Sequence, residues 1–120
     1  MAVDNAPDLL EKLSGIFRNM EGVELAGAFE EAVAVVDHVK THPVDMVFTD
    51  IVMPDISGIS LASELHRLPQ PPAVVLMSSI PGFSLEAWKI RAYGFIEKPY
   101  TRAQIAAMIE QYKNEEGKPE

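Results

Sequence analysis

"DMVFTDIVMPDISG", residues Asp45–Gly58, carries the pattern that decides the fold. Met46, Val47, Phe48 and Thr49 form a compact run with no polar alternation, as in a strand covered on both faces. Asp50 follows at once. A carboxylate has no place inside such a strand, so it belongs at the strand's mouth. Pro54 and Gly58 then give the loop beyond it a fixed shape, one by its locked φ and the other by its lack of a Cβ.

The same alternation extends in both directions from this stretch. Met1 to Val3 is a short apolar start. Leu9, Leu10, Leu13, Ile16, Phe17 and Met20 recur at helical spacing, with Asp4 or Asn5 as cap and Pro7 in the first turn. Val23 to Ala28 reads as a short strand. Ala32, Val35, Val36 and Val39 stripe a second helix that stops before His42-Pro43. Downstream, Gly58 to Leu68 is helical and Ala73 to Met77 is another continuous apolar strand. Ser84 caps a helix reaching Ala92, and Gly94-Phe95-Ile96 is the next strand. Ile105, Met108, Ile109 and Tyr112 mark a last helix. Residues 1–113 thus make one domain, and 114–120 a polar tail.

Strand and helix alternate five times, which predicts a parallel sheet layered by helices. With 120 residues there is chain for one real core. The formal net charge is −8, which argues against direct nucleic-acid binding, because that affinity comes from basic side chains. The absence of cysteine excludes disulfides, thiol catalysis and thiolate metal sites. No apolar run approaches membrane-spanning length and the start lacks a signal-peptide pattern, so the expectation is a cytoplasmic protein with no membrane partner.

In an open parallel sheet, ligands bind outside the carboxyl ends of the strands, where the strand order reverses. In the flavodoxin-like order 2-1-3-4-5 that point lies between the first and third strands. Asp4 follows the first strand and Asp50 ends the third. Ser78-Ser79 ends the fourth, and Lys98-Pro99 the fifth. Singly, each reads as an ordinary cap, turn or solvated loop; together they converge on one edge. Two neighbouring carboxylates favour a divalent cation, and magnesium suits oxygen ligands completed by phosphate and water. An aspartate there is a competent nucleophile toward a phosphoryl group, and a lysine would stabilise the charge that develops.

These residues resemble response-regulator receiver domains of two-component signalling. "DIVMPDISG" is similar to their Asp-x-x-Met-Pro-x-x-x-Gly phosphoacceptor loop. "VDNAP" resembles the first-strand acidic pair, "VVLMSS" the strand ending in a hydroxyl residue, and "YGFIEKPY" the last-strand Lys-Pro motif. "VDMVFTDI", "PPAVVLMSS" and "SLEAWKIRAYGFIEKPY" look most like receivers of LytTR-type regulators, which carry an output domain that is not in this sequence. The resemblance implies a flavodoxin-like (βα)5 fold. It implies that Asp50 is phosphorylated by a sensor histidine kinase, and that Mg2+ is bound by Asp4, Asp50 and the Val52 backbone carbonyl. Ser78 would hydrogen-bond the phosphoryl group, Lys98 would pair with it, and Phe95 would be the aromatic switch. The Lys98-Pro99 bond is often cis in the family. The residues themselves suggest a homodimer through the face built from the fourth helix, fifth strand and fifth helix: Ser78 and Lys98 end the strands that border it, Phe95 lies between them, and Trp88, Ile90, Tyr93 and Tyr100 are on or near it.

Two residues depart from the family pattern. Asn5 stands where the second acid is usual, so an amide oxygen replaces a charged metal ligand. Ala6 stands where a glutamate is usual. A degenerate receiver that serves as an interaction module without phosphate is therefore the alternative function. A metal-dependent phosphatase using Asp50 ranks last, because that chemistry wants an acid two residues on and Val52 is apolar. In neither receiver reading is the domain an enzyme in the metabolic sense; in the first it catalyses only its own phosphoryl acceptance and loss.

Overall fold

The computed structural model describes residues 1–80 and 84–116, without the side chains of 84–86 and 116. Strands and helices alternate along the chain: β1 (Ala2–Val3), α1 (Pro7–Arg18), β2 (Ala28–Phe29), α2 (Ala32–Thr41), β3 (Met46–Asp50), α3 (Gly58–Leu65), β4 (Ala73–Ser78), α4 (Ser84–Lys89), β5 (Gly94–Glu97) and α5 (Arg102–Glu116). All strand pairings are parallel and the order is β2-β1-β3-β4-β5. This is the flavodoxin-like arrangement expected from the sequence.

The continuous apolar strands are explained by two cores, one on each face of the sheet. Val3, Val47, Val74 and Leu76 point to the face covered by Ala32, Val35 and Val39 of α2, Leu61, Ala62 and Leu65 of α3, and Ala87 of α4. Ala2, Met46, Phe48, Val75, Met77 and Ile96 point to the other face, against Leu13 and Phe17 of α1 and Ile105 and Ile109 of α5. The Phe17 and Phe48 rings meet at 5.1 Å. Each such fully buried apolar side chain contributes roughly 1.5–3 kcal/mol relative to exposure, so β3 and β4 are apolar up to Asp50 and Ser78 except at Thr49, whose buried hydroxyl donates to Asp50 O at 3.0 Å.

The register brings the strand ends to one edge. Val3 pairs with Thr49, Asp50 with Met77, and Ser78 with Glu97. The ladder runs one step further through Ile51 N–H to Met77 O (2.9 Å) and Lys98 N–H to Ser78 O (2.8 Å). β1 has only two residues, but Met1 lengthens its pairing: Met1 N donates to Met46 O and Phe48 N–H to Met1 O.

Several boundaries differ from the sequence reading. β2 is Ala28–Phe29, not Val23 to Ala28. Val23 to Gly27 is irregular chain held to β1 by Ala2 N–H donating to Gly27 O. Neither Asp4 nor Asn5 caps α1; the cap position is Ala6, with no side-chain bond. α3 stops at Leu65 and α4 at Lys89, short of Leu68 and Ala92. Ser84 is the first residue of α4, and its capping role lies outside the described side chains. Asn114 to Glu116, read as tail, continue α5, while Gly117 to Glu120 lie outside the described residues.

The β2 approach has half a strand's pairing, and its side chains are half-buried or exposed. Native-state hydrogen exchange should therefore find the amides of Glu24, Leu25 and Ala26 exchanging far faster than those of Val47 to Thr49. Equal protection would show that this segment is held by more than its two-residue ladder.

Candidate functional site

The end of β3 and the residues that follow β1 and β5 bring three charged groups together at the carboxyl edge. Asp4 and Asp50 are almost fully buried, at 1% and 9% exposure. Lys98 lies between them. Its Nζ donates to Asp4 Oδ2 at 2.6 Å and to Asp50 Oδ2 at 3.2 Å. Two carboxylates and one ammonium leave a net charge of −1. Burying ions costs several kcal/mol each unless they are paired and hydrogen-bonded, and Lys98 supplies that pairing for both acids. The peptide bond between Lys98 and Pro99 is cis.

The remaining oxygens are held by the backbone. Asp4 Oδ1 accepts from Ala6 N–H at 2.9 Å. Asp50 Oδ1 has a long contact from Val52 N–H at 3.4 Å. The Asp50–Gly58 loop closes where Gly58 N–H donates to Ile51 O at 2.7 Å. A Cβ on Gly58 would run into the Asp50 backbone carbonyl, so only glycine allows that closure.

Ser78 is buried at the end of β4, but its hydroxyl is turned into its own loop. Oγ donates to Ile80 O (3.1 Å) and accepts from Ile80 N–H (3.0 Å). Phe95 is half-buried and packs on the α2–α3–α4 core. Asn5 and Val52 are exposed. Among the described residues no group of three acidic or histidine side chains is gathered for a metal. The donor set still fits a hard cation: Asp4 and Asp50 are oxygen ligands within reach of one ammonium, and backbone and water oxygens would complete the shell.

The structure corrects one expectation and adds one residue. Tyr100, expected on or near the face built from α4, β5 and α5, is 6% exposed, in the α1–α5 core, with the Lys12 ammonium 5.3 Å from its ring centroid. Burial, then the charge of Asp4, pushes its hydroxyl up to about 12, so it is a neutral phenol. The residue missed from the sequence is Asp55. Its Oδ1 and Oδ2 accept from Ala32 N–H (3.2 Å) and Val33 N–H (2.8 Å) at the start of α2. The Val33 bond, against a smaller desolvation effect, holds its carboxyl below the ordinary value. An acid in a Pro-Asp turn gave no signal of a partner more than twenty residues away.

A family model described as response regulator receiver domain matches residues 1–110. The positive alginate biosynthesis regulatory protein of Pseudomonas aeruginosa is 30% identical over 113 residues, covering 91% of this chain and 44% of that protein. The sensory transduction protein LytT of Bacillus anthracis is 24% identical over 115 residues, covering 96% of this chain and 47% of LytT. The chain therefore spans less than half the length of these curated relatives. Among solved structures, the CheX-CheY-BeF3-Mg2+ complex of Borrelia burgdorferi matches with a TM-score of 0.82 and 25% identity, over 92% of this chain and 84% of that one. With the sheet order, the acidic edge and a family match over residues 1–110 in agreement, the chain belongs to the response regulator receiver domains, a family of signalling domains and not of classical enzymes.

Proposed function

We propose that this chain is a phosphorylation-controlled switch in which Asp50 accepts a phosphoryl group from a histidine of a sensor kinase. The observation that carries this reading is the Lys98 ammonium shared between Asp4 and Asp50. It puts a nucleophilic carboxylate, a charge-stabilising cation and a second oxygen ligand in one buried place.

In the proposed reaction an Asp50 carboxylate oxygen attacks phosphorus. The bond from phosphorus to the histidine nitrogen breaks, an acyl phosphate forms, and the imidazole leaves as the neutral ring after taking a proton. Oδ1, with only the long Val52 contact, is the freer nucleophile. Lys98 can move its hydrogen bond from Asp50 Oδ2 to a phosphoryl oxygen without leaving the site. Ser78 must give up Ile80 O before it can donate to the same group, which ties Ile80 to the phosphorylation state. Mg2+, when bound, would supply positive charge to the transferring oxygens. Asp4, Asp50 and the Val52 carbonyl are its proposed ligands, with Asn5 at the margin. A CheY of similar fold, solved in a complex with BeF3 and Mg2+, supports Mg2+ as the cation.

The degenerate alternative draws on Asn5 and Ala6, because the one acid after β1 is already committed to Lys98. Intact mass decides between the two. Acetyl phosphate with Mg2+ should add one phosphoryl mass to the wild type and none to Asp50→Asn. An unlabelled wild type would favour the degenerate reading, and a labelled Asp50→Asn would move the acceptor elsewhere.

Asn5→Asp adds one carboxylate beside a pocket of net charge −1. At intermediate dielectric this should tighten Mg2+ binding by about 1–2 kcal/mol, or roughly tenfold in Kd. Equal affinities by titration calorimetry would remove position 5 from the coordination sphere.

The proposed partner surface is the α4–β5–α5 face, serving a second copy of the chain, with any output domain beyond these residues acting downstream. Trp88 is 78% exposed there, and Ile90, Tyr93 and Phe95 are half-buried. Driving such a switch from mostly off to mostly on takes roughly 5 kcal/mol of differential interaction. Charge-assisted contacts from the phosphoryl group to Lys98, with a hydrogen bond from Ser78, can supply much of this. Sedimentation velocity with beryllofluoride should show monomer shifting toward dimer, and Phe95→Ala should blunt the shift. An unchanged profile with the mimic bound would assign the switch to another surface.

A further inference from the structure

We infer that Asp55 is a positioning residue: it straps the Asp50–Gly58 loop to the first turn of α2, so that loop and helix move as one body. This rests on the reading of Asp50 as the acceptor and extends it to a second route out of the site.

α2 cannot cap itself. Its cap position is Glu31, whose side chain makes no capping bond, and its first turn contains no acid. The first N–H groups of a helix have no partner within it, and they carry the positive end of its dipole. Asp55 meets both needs, using one oxygen for Ala32 N–H and the other for Val33 N–H. It is not required as a cap for α3, which follows it in sequence. That helix has its own in Ser57, which accepts from Ser60 N–H at 3.1 Å.

The loop is fixed at its root as well. Gly58 N–H is bonded to Ile51 O, with no room for a Cβ. Ile51 and Met53 are buried in the core that also holds Val35 and Val39 of α2. With the root closed and two side chains anchored, the strap leaves the loop little freedom to change shape alone. A group added to Asp50 that displaces Val52 must therefore carry Asp55 with it, and with Asp55 the start of α2. Glu30, Glu31 and Val33 are exposed at that end, so they would present the site's state on a surface separate from the α4–β5–α5 face.

The test compares wild type with Asp55→Ala and Asp55→Asn by amide hydrogen exchange and by two-dimensional NMR with Mg2+ and beryllofluoride. Losing the strap should speed exchange at Ala32 and Val33 by about fivefold or more, the scale of a lost helix cap. It should speed exchange at Gly58 as well, although Gly58 does not touch Asp55. Asp55→Asn, which keeps one acceptor oxygen, should lie between. A purely structural cap would loosen Ala32 and Val33 and leave Gly58 unchanged, and that result overturns the proposal. Beryllofluoride should shift the Ala32 and Val33 amides in the wild type and not in Asp55→Ala, with fluorine spectra showing it bound to both. Equal shifts in the two proteins would also overturn it. A wild type that binds no beryllofluoride counts against the acceptor reading, and the exchange at Gly58 then decides the strap by itself.

Discussion

Two buried carboxylates must share one ammonium group, and much of the molecule's architecture follows from that requirement. Asp4 follows β1 and Asp50 ends the adjacent β3, but Lys98 arrives from beyond β5, and β4 lies between β5 and β3. The lysine has to pass over the end of β4. A small side chain at that end keeps the way open, and Ser78 is small, buried and folded back onto its own loop. The register of the sheet, the short β1 and the closed loop after Asp50 all serve to bring these groups to the same height. Removing Lys98 would leave two like charges almost out of water, so the ion pairs of the candidate site also hold that edge of the fold together.

The sequence disclosed those parts of the fold that impose a dense chemical pattern. β3 and β4 are covered on both faces, so apart from Thr49, whose hydroxyl donates to Asp50 O, they are apolar until Asp50 and Ser78 are reached. β2 imposes almost no pattern. It pairs through Ala28 and Phe29 only, one exposed and one half-buried, and the apolar residues just before it imitate a strand they do not form. The end of α5 was hidden for another reason. Its last turn is held by polar groups: the Tyr93 hydroxyl donates to Glu115 Oε2 at 2.8 Å, and the Tyr93 and Tyr112 rings meet edge to face at 5.8 Å. Asn114 to Glu116 thus look like a solvated tail in a hydropathy reading and are helix in the folded chain.

The candidate site was legible in its residues and less so in its bonds. Asp4, Asp50, Ser78 and Lys98 could be placed at one edge by counting strand ends. The inward turn of Ser78 and the two-oxygen grip of Asp55 on α2 could not, because both depend on loop geometry without periodicity. Asp55 and Tyr100 carry the same lesson in opposite directions. An acid in a turn proved to bond at long range, and an aromatic expected on or near an exposed face proved to be core.

Trp88 is the chain's one tryptophan, and it stands 78% exposed on α4. Its indole is therefore an optical probe already installed at the face that the switch would use. An indole this exposed should emit in the free protein as a ring in water. A blue shift, or protection from a soluble quencher, would register the covering of α4 by whatever binds there. The protein reports its own engagement without a label.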